Sequence, residues 1–206
     1  MNEQLEGSRI LARGGFLTIP NFFSPFDLDQ LGNEANSARS EGKRNVWPVS
    51  TAAEDRGGDP DRAFTTVVGG KVQWTIFSAP SVVAQLTDVC GLPLEPAGGG
   101  SFSYYEQPGD FLGLHRDIVH CDLTVITCLY ETDASPDAGA LLVYSKFMKA
   151  PLAVARAAGK AAAVRTPVRR SESVALLGGF VPHEVTPMLP AQQRVVSIMC
   201  YRIGAR

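Results

Sequence analysis

Histidine and cysteine are both scarce in this 206-residue chain, with three of the first and four of the second. The cysteines are Cys90, Cys121, Cys128 and Cys200, and their spacing matches no zinc knuckle and no CxxC redox pair. Cys128 and Cys200 sit in apolar runs, where a reduced thiol behaves as a small hydrophobe. A reducing cytoplasm is the simplest compartment for such a set. No apolar run approaches the length of a membrane span. Met1 to Arg13 carries charges and no apolar stretch, which excludes a secretory signal there. A basic excess is also missing. The formal net charge is -2, so no broad cationic face is available for a sequence-independent grip on nucleic acid. Acidic residues are absent between Asp137 and Glu172, while Lys146, Lys149, Arg156, Lys160, Arg165, Arg169 and Arg170 all fall there. That segment reads as a solvated basic edge; the sharper alternative is a surface that attracts an anionic substrate or carrier.

The length suits one domain with a substantial core, 1–206. Gly15 to Pro20 reads as a short strand. Ser24-Pro25 looks like an N-cap with proline at the first helical position, opening a helix toward Ser40. Pro48 and the run Gly57-Gly58-Asp59-Pro60 mark Gly42 to Asp61 as irregular. Val72 to Phe77 looks like a strand, and Ser81 to Cys90 like a helix stopped by Gly91. From Gly98 the texture changes to short strands: Ser101 to Glu106, Asp122 to Glu131, Ala140 to Tyr144, Ser173 to Leu177, Phe180 to Val185 and Val195 to Tyr201. Pro151 to Ala163 is alanine-rich and suits a short helix. Helices first and many short strands afterwards predict a mainly β fold, a double-stranded β-helix (jelly-roll, cupin-like) barrel. Residues 1–97 form its helical support and loop, and 98–206 the jelly-roll core.

Two of the three histidines fall into a pattern with one aspartate. Leu114-His115-Arg116-Asp117 places an imidazole and a carboxylate two residues apart, on one face of an extended segment. His183 follows in Val181-Pro182-His183-Glu184-Val185, and Arg194 comes eleven residues later. Two neutral imidazoles and one carboxylate can occupy one face of an octahedral iron(II) and leave the other open for substrate and oxygen. An HxD pair alone is a weak signal. The surroundings strengthen it. Gly178-Gly179 precedes His183 and suits a tight turn, and Gly139-Ala140-Leu141-Leu142 reads as a glycine-led core strand. Arg194 heads an otherwise apolar strand, where a guanidinium needs an anionic partner. A structural carboxylate would serve; a bound dicarboxylate would fit better, because guanidinium grips carboxylate through paired hydrogen bonds.

These residues make the chain resemble the iron(II)/2-oxoglutarate-dependent dioxygenases, most closely the prolyl-4-hydroxylase type. The resemblance runs from about Gly98 to Tyr201. It rests on Tyr105 ten positions before His115, on His115-Arg116-Asp117, on the strand Val125 to Tyr130, on Pro182-His183-Glu184-Val185 with Pro187, and on Arg194. It implies iron(II) ligands at His115, Asp117 and His183, which are also the catalytic residues. It implies that Arg194 clamps the distal carboxylate of 2-oxoglutarate, with Tyr105 as helper and Thr127 facing the same cavity, and that O2 is consumed. Many members carry a serine two residues after the arginine; here that place is Val196, and Ser197 points to the other face. The carboxylate at Asp117 favours hydroxylation over halogenation, since halogenating relatives carry a small residue there. The implied activity is hydroxylation of an unactivated C–H bond in a small molecule, such as an amino acid or specialised metabolite, with release of succinate and CO2. A peptidyl or prolyl substrate is the alternative, and a non-catalytic ligand-binding jelly roll is the second.

Other residues carry weaker readings. His120 suits a solvent-facing loop as well as a substrate contact. Arg116 points away from a metal held by its neighbours and reads as a surface salt-bridge partner. Trp47, Arg44, Arg56 and Arg62 lie in or beside the long early loop, a place from which loops close over active sites. Trp74 and Phe77 read as core. Tyr104 and Tyr105 alternate, so one faces the cavity.

Overall fold

A computed structural model describes residues 3–47, 56–132 and 138–204. Helices α1 (Glu3–Glu6), α2 (Arg9–Ala12), α3 (Pro25–Ala38), α4 (Lys71–Phe77), α5 (Pro80–Cys90) and α6 (Leu152–Ala158) accompany twelve strands. The strands are β1 (Phe16–Pro20), β2 (Lys43–Trp47), β3 (Arg62–Val68), β4 (Leu94–Pro96), β5 (Ser101–Tyr105), β6 (Phe111–His115), β7 (Leu123–Glu131), β8 (Leu141–Val143), β9 (Val164–Thr166), β10 (Glu172–Leu176), β11 (His183–Val185) and β12 (Arg194–Ile203). They form a single curled antiparallel sheet in the order β1-β10-β7-β12-β5-β3-β6-β11-β8-β9, with β2 added to β3 and β4 to β12. The curl comes from β3. One half of it pairs with β6 (Arg62 opposite Leu112) and the other half with β5 (Thr66 opposite Ser103), so the sheet folds over at that strand. This is the expected jelly roll.

The broad half of the sheet has two different faces. Along β12, Val195, Ser197, Met199 and Tyr201 point toward the helices, while Arg194, Val196, Ile198 and Cys200 line the cavity on the other side. The helical layer is fastened by hydroxyls that find backbone partners. Tyr104 donates to the Ala35 carbonyl at 2.6 Å and Tyr201 to the Phe77 carbonyl at 2.9 Å. The core beneath runs from Leu5 and Ile10 in the first helices through Phe77 and Phe102 to Met199 and Tyr201. Each such large side chain, taken fully out of water, contributes about 1.5–3 kcal/mol.

Several local expectations take definite form. Helix α3 is capped by Ser24, whose hydroxyl accepts from the Asp27 N–H at 3.1 Å, with Pro25 in the first turn. Helix α5 ends at Gly91, which adopts φ +69°, the left-handed conformation that glycine enters without a Cβ penalty. The segment Val72 to Phe77 is helical, against the strand reading. Its decisive partner is remote in sequence: both Glu34 carboxylate oxygens accept from the Val72 and Gln73 N–H groups, at 2.8 and 2.7 Å. A carboxylate at a helix N-terminus satisfies orphan donors and complements the dipole, and no short-range pattern reveals it. The stretch expected to be irregular, Gly42 to Asp61, begins instead with a strand, β2, fully paired with β3; residues 48–55 of it lie outside the described residues. Strands β3, β4, β6 and β9 had no counterpart in the sequence reading. None of the described helices is long and apolar enough to cross a membrane.

Candidate metal centre and carboxylate clamp

Strand pairing brings the two histidines together. His115, the last residue of β6, lies directly opposite His183, the first residue of β11. Their rings stand 4.2 Å apart, centre to centre. Each ring is held by its Nδ1 against a carbonyl two residues back: His115 on Gly113 at 2.8 Å and His183 on Val181 at 3.0 Å. That contact places the proton on Nδ1 and leaves Nε2 as a free lone pair. Both Nε2 atoms point at Asp117 Oδ1, at 3.5 Å from His115 and 3.6 Å from His183. One ligand atom from each of the three residues falls within 4.8 Å of the others, a spacing that suits a single cation.

Asp117 sits just beyond the end of β6, where its own N–H donates to the Gly178 carbonyl at 2.8 Å. Its Oδ2 accepts from the Thr124 hydroxyl. A side chain at Gly178 would overlap this carboxylate, since a Cβ there would stand 1.9 Å from Oδ2. The neighbouring Gly179 makes room for the Arg56 guanidinium in the same way, at 2.4 Å. Neither glycine adopts positive φ. The chain does turn here, as the sequence suggested, with the Phe180 and Val181 N–H groups donating to the Leu177 carbonyl at 2.9 and 2.8 Å, and close approach rather than positive φ is what requires glycine.

The electrostatics agree with a cation site. Burial alone would raise the Asp117 carboxyl, but positive charge on His183 or His115 and the hydrogen bond from the Thr124 hydroxyl outweigh it and hold the carboxyl well below the usual carboxylate range. Burial, reinforced by repulsion from His115, lowers His183 to about 4, so this imidazole is neutral near pH 7. Neutral imidazoles and an ionised carboxylate are the protonation states that metal ligation requires.

Arg194 is 6 % exposed, and its Nε and Nη2 have no hydrogen-bond partner among the described residues. Desolvation lowers its pKa. A buried guanidinium with idle donors is costly and calls for an anion. Space for the group comes from Gly139, where φ is +57° and a Cβ would stand 2.2 Å from Nη2. Tyr105 lines the same cavity and stacks on Phe64 with ring centres 5.2 Å apart. Arg194, Tyr105, His115, Asp117 and His183 share one cavity of about 340 Å³, walled by apolar residues such as Ile126, Val185, Val196 and Ile198.

The structure does not place Thr127 there. Its side chain is fully buried on the helix-facing side of β7, where its hydroxyl contacts Ser173 Oγ at 2.8 Å. The cavity-facing residues of β7 are Thr124 and Ile126, so the parity of the strand excludes Thr127. Thr124 is the site residue that the sequence reading missed. Strand parity sets Thr124 and Ile126 on one face and Thr127 on the other, but which face meets the cavity follows only from the pairing of β7 with its neighbours.

Arg116 is also corrected. It is buried, not a surface ion-pair partner, and its guanidinium donates to the carbonyls of Phe180 at 2.9 Å and Ala150 at 2.6 Å. Arg56 pins the turn after Asp117, donating to the carbonyls of Ile118 at 2.8 Å and Cys121 at 2.6 Å and pairing with Asp122 at 2.8 Å. Arg44 pairs with the buried Asp110, at 2.6 Å. Arg62 lines the cavity, Trp47 is half exposed opposite it, and His120 is exposed. Cys121 and Cys200 form a disulfide across 79 residues, and both line the cavity. The reduced Cys200 expected from sequence is therefore wrong, and the cysteine-based ground for a reducing compartment goes with it. Cys90 and Cys128 are free and buried.

No family model and no curated protein sequence matches the chain. Solved structures do. The non-heme alpha ketoglutarate dependent epimerase SnoN of nogalamycin biosynthesis, in complex with Fe3+, alpha ketoglutarate and nogalamycin RO, aligns with a TM-score of 0.67 at 15 % identity, over 96 % of this chain and 82 % of that one. A Pseudomonas putida prolyl-4-hydroxylase aligns at 0.65 and 18 % identity, over 98 % and 100 %. HygX from Streptomyces hygroscopicus, with nickel and 2-oxoglutarate bound, aligns at 0.65 and 17 % identity, over 98 % and 86 %. The chain thus has the fold of the iron- and 2-oxoglutarate-dependent oxygenases.

Proposed function

We propose that the protein is an iron(II)- and 2-oxoglutarate-dependent oxygenase that hydroxylates an unactivated C–H bond of a small molecule. One observation carries the reading: a two-histidine, one-carboxylate set converges in the same cavity as a buried arginine with idle donors. His115, Asp117 and His183 would hold the iron. Arg194 would take the distal carboxylate of 2-oxoglutarate through a charge-assisted, two-pronged contact, and Tyr105 stands beside it. The bound metal and co-substrate supply oxygen activation, with succinate and CO2 as co-products. The chain's own residues hold His183 neutral, orient both imidazoles through their Nδ1 contacts and line the cavity with an apolar wall. Residues 1–206 act as one catalytic domain in this reading, supported by a core shared from Leu5 to Tyr201.

The apolar walls of a cavity this size support a small substrate. A prolyl or peptidyl substrate is the second reading, favoured by the two-way coverage with the prolyl-4-hydroxylase structure. The test is anaerobic addition of iron(II) and 2-oxoglutarate to the purified protein, followed by oxygen and separate metabolite and peptide panels. A visible charge-transfer band and substrate-stimulated succinate are expected; absence of the band sinks the oxygenase reading. Stimulation by peptides alone replaces the first substrate class with the second.

A further inference from the structure

We propose that Thr124 is a positioning residue for Asp117, held in register by the Cys121–Cys200 disulfide, so that the metal affinity of the site depends on the oxidation state of that pair. This rests on the metal reading above.

The carboxylate of an aspartate turns about a soft torsion, and can offer a cation one oxygen or both. Here Oδ2 is occupied by the Thr124 hydroxyl, and Oδ1 is the oxygen facing both Nε2 atoms. Thr124 thereby selects the ligand atom. Thr124 is 4 % exposed, so water does not readily replace its hydroxyl. Gly178 leaves room for the same pair, since a Cβ there would stand 1.9 Å from Asp117 Oδ2 and 3.0 Å from Thr124 Oγ1.

The disulfide closes the arrangement from the other side. Cys121 Sγ lies 3.2 Å from Thr124 Oγ1. Cys200 lies on the cavity face of β12, directly opposite Thr124 in the strand register. The bridge therefore ties the turn that starts at Asp117 to the strand that starts at Arg194. A disulfide sulfur carries no proton and accepts only weakly, so the Thr124 proton has one strong acceptor, Asp117. Reduction by a dithiol transfers two electrons and two protons, breaks the S–S bond and leaves two thiols and an oxidised dithiol. The Cys121 thiol then donates as well as accepts at the threonine hydroxyl, and the turn loses its covalent anchor.

Manganese(II) titration of the full-length oxidised protein tests this. Thr124→Val should weaken manganese binding by about 10- to 100-fold, the cost typical of losing a group that orients a metal ligand. Thr124→Ser should restore it to within a few-fold. With cobalt(II) as probe, the visible bands should change in Thr124→Val and not in Thr124→Ser. Dithiol treatment, or Cys200→Ser, should weaken manganese binding in the parent protein and have a smaller effect in Thr124→Val, because the two act through one carboxylate. Unchanged manganese affinity in a folded Thr124→Val overturns the proposal, and so does Thr124→Ser behaving like valine. If the valine variant does not fold, the oxidised and reduced parent proteins decide, and equal affinities overturn it. Failure of the parent protein to bind manganese at all would instead remove the metal reading on which this stands.

Discussion

The two faces of the broad half-sheet are built from the same strands and treat polar groups in opposite ways. On the helix side, Thr127 meets Ser173, Gln73 Nε2 meets Ser197 Oγ at 2.7 Å, and Tyr104 and Tyr201 reach backbone carbonyls. Only Gln73 Oε1 is left without a partner in that group. On the cavity side, two guanidinium nitrogens of Arg194 have no partner among the described residues, and two imidazole lone pairs aim at one carboxylate oxygen. Satisfied polar groups stabilise and specify; buried groups with capacity to spare mark where a ligand belongs.

The comparison can be broken by substitution on each face. The largest effect is expected on the cavity side: His183→Ala should abolish succinate formation, by at least about 10³-fold, and remove manganese binding, since it deletes a ligand. Unchanged succinate output would show that the cluster is not a metal centre. Arg194→Met should weaken 2-oxoglutarate binding by about 10²-fold, in line with loss of a buried charge-assisted pair. It should also leave the metal-free protein as stable or more stable in denaturant, because a methionine removes an uncompensated buried charge. A large stability loss instead would assign Arg194 a structural partner.

Acid sharpens the same contrast. His183 titrates near 4 in the fold and near 6.5 as an unperturbed side chain, so between these values the unfolded chain binds the extra proton. The metal-free protein should therefore lose stability as pH falls from about 6.5 to about 4, seen as a falling Tm. Thr127→Val on the helix face should have the smallest effect. It should cost about 1 kcal/mol by urea denaturation and leave 2-oxoglutarate turnover unchanged. Loss of co-substrate binding in that variant would return Thr127 to the cavity.

The spacing of His115, Asp117, His183 and Arg194 was legible because metal and carboxylate chemistry restrict residue type, and a chain with three histidines offers few other sets. The jelly roll was legible from short strands rich in β-branched residues with turns between them. Strand β6 was not, because its apolar residues Phe111, Leu112 and Leu114 flank a glycine and give no clean alternation. Helix α4 was misread because its cap is the carboxylate of Glu34, supplied from another helix.

Composition and local spacing by themselves determined which chemical groups this protein has to work with and the class of fold that carries them. Which face each group meets was decided only by tertiary structure. The pairing of β7 with β10 and β12 turns Thr124 toward the candidate ligand and sets Thr127 against Ser173. The Cys121–Cys200 bridge depends on β12 lying next to β7, a pairing across 79 residues that no short-range pattern encodes. The physical reason is the two-residue period of a strand: side-chain type is written locally, but register is set by the packing of the whole sheet.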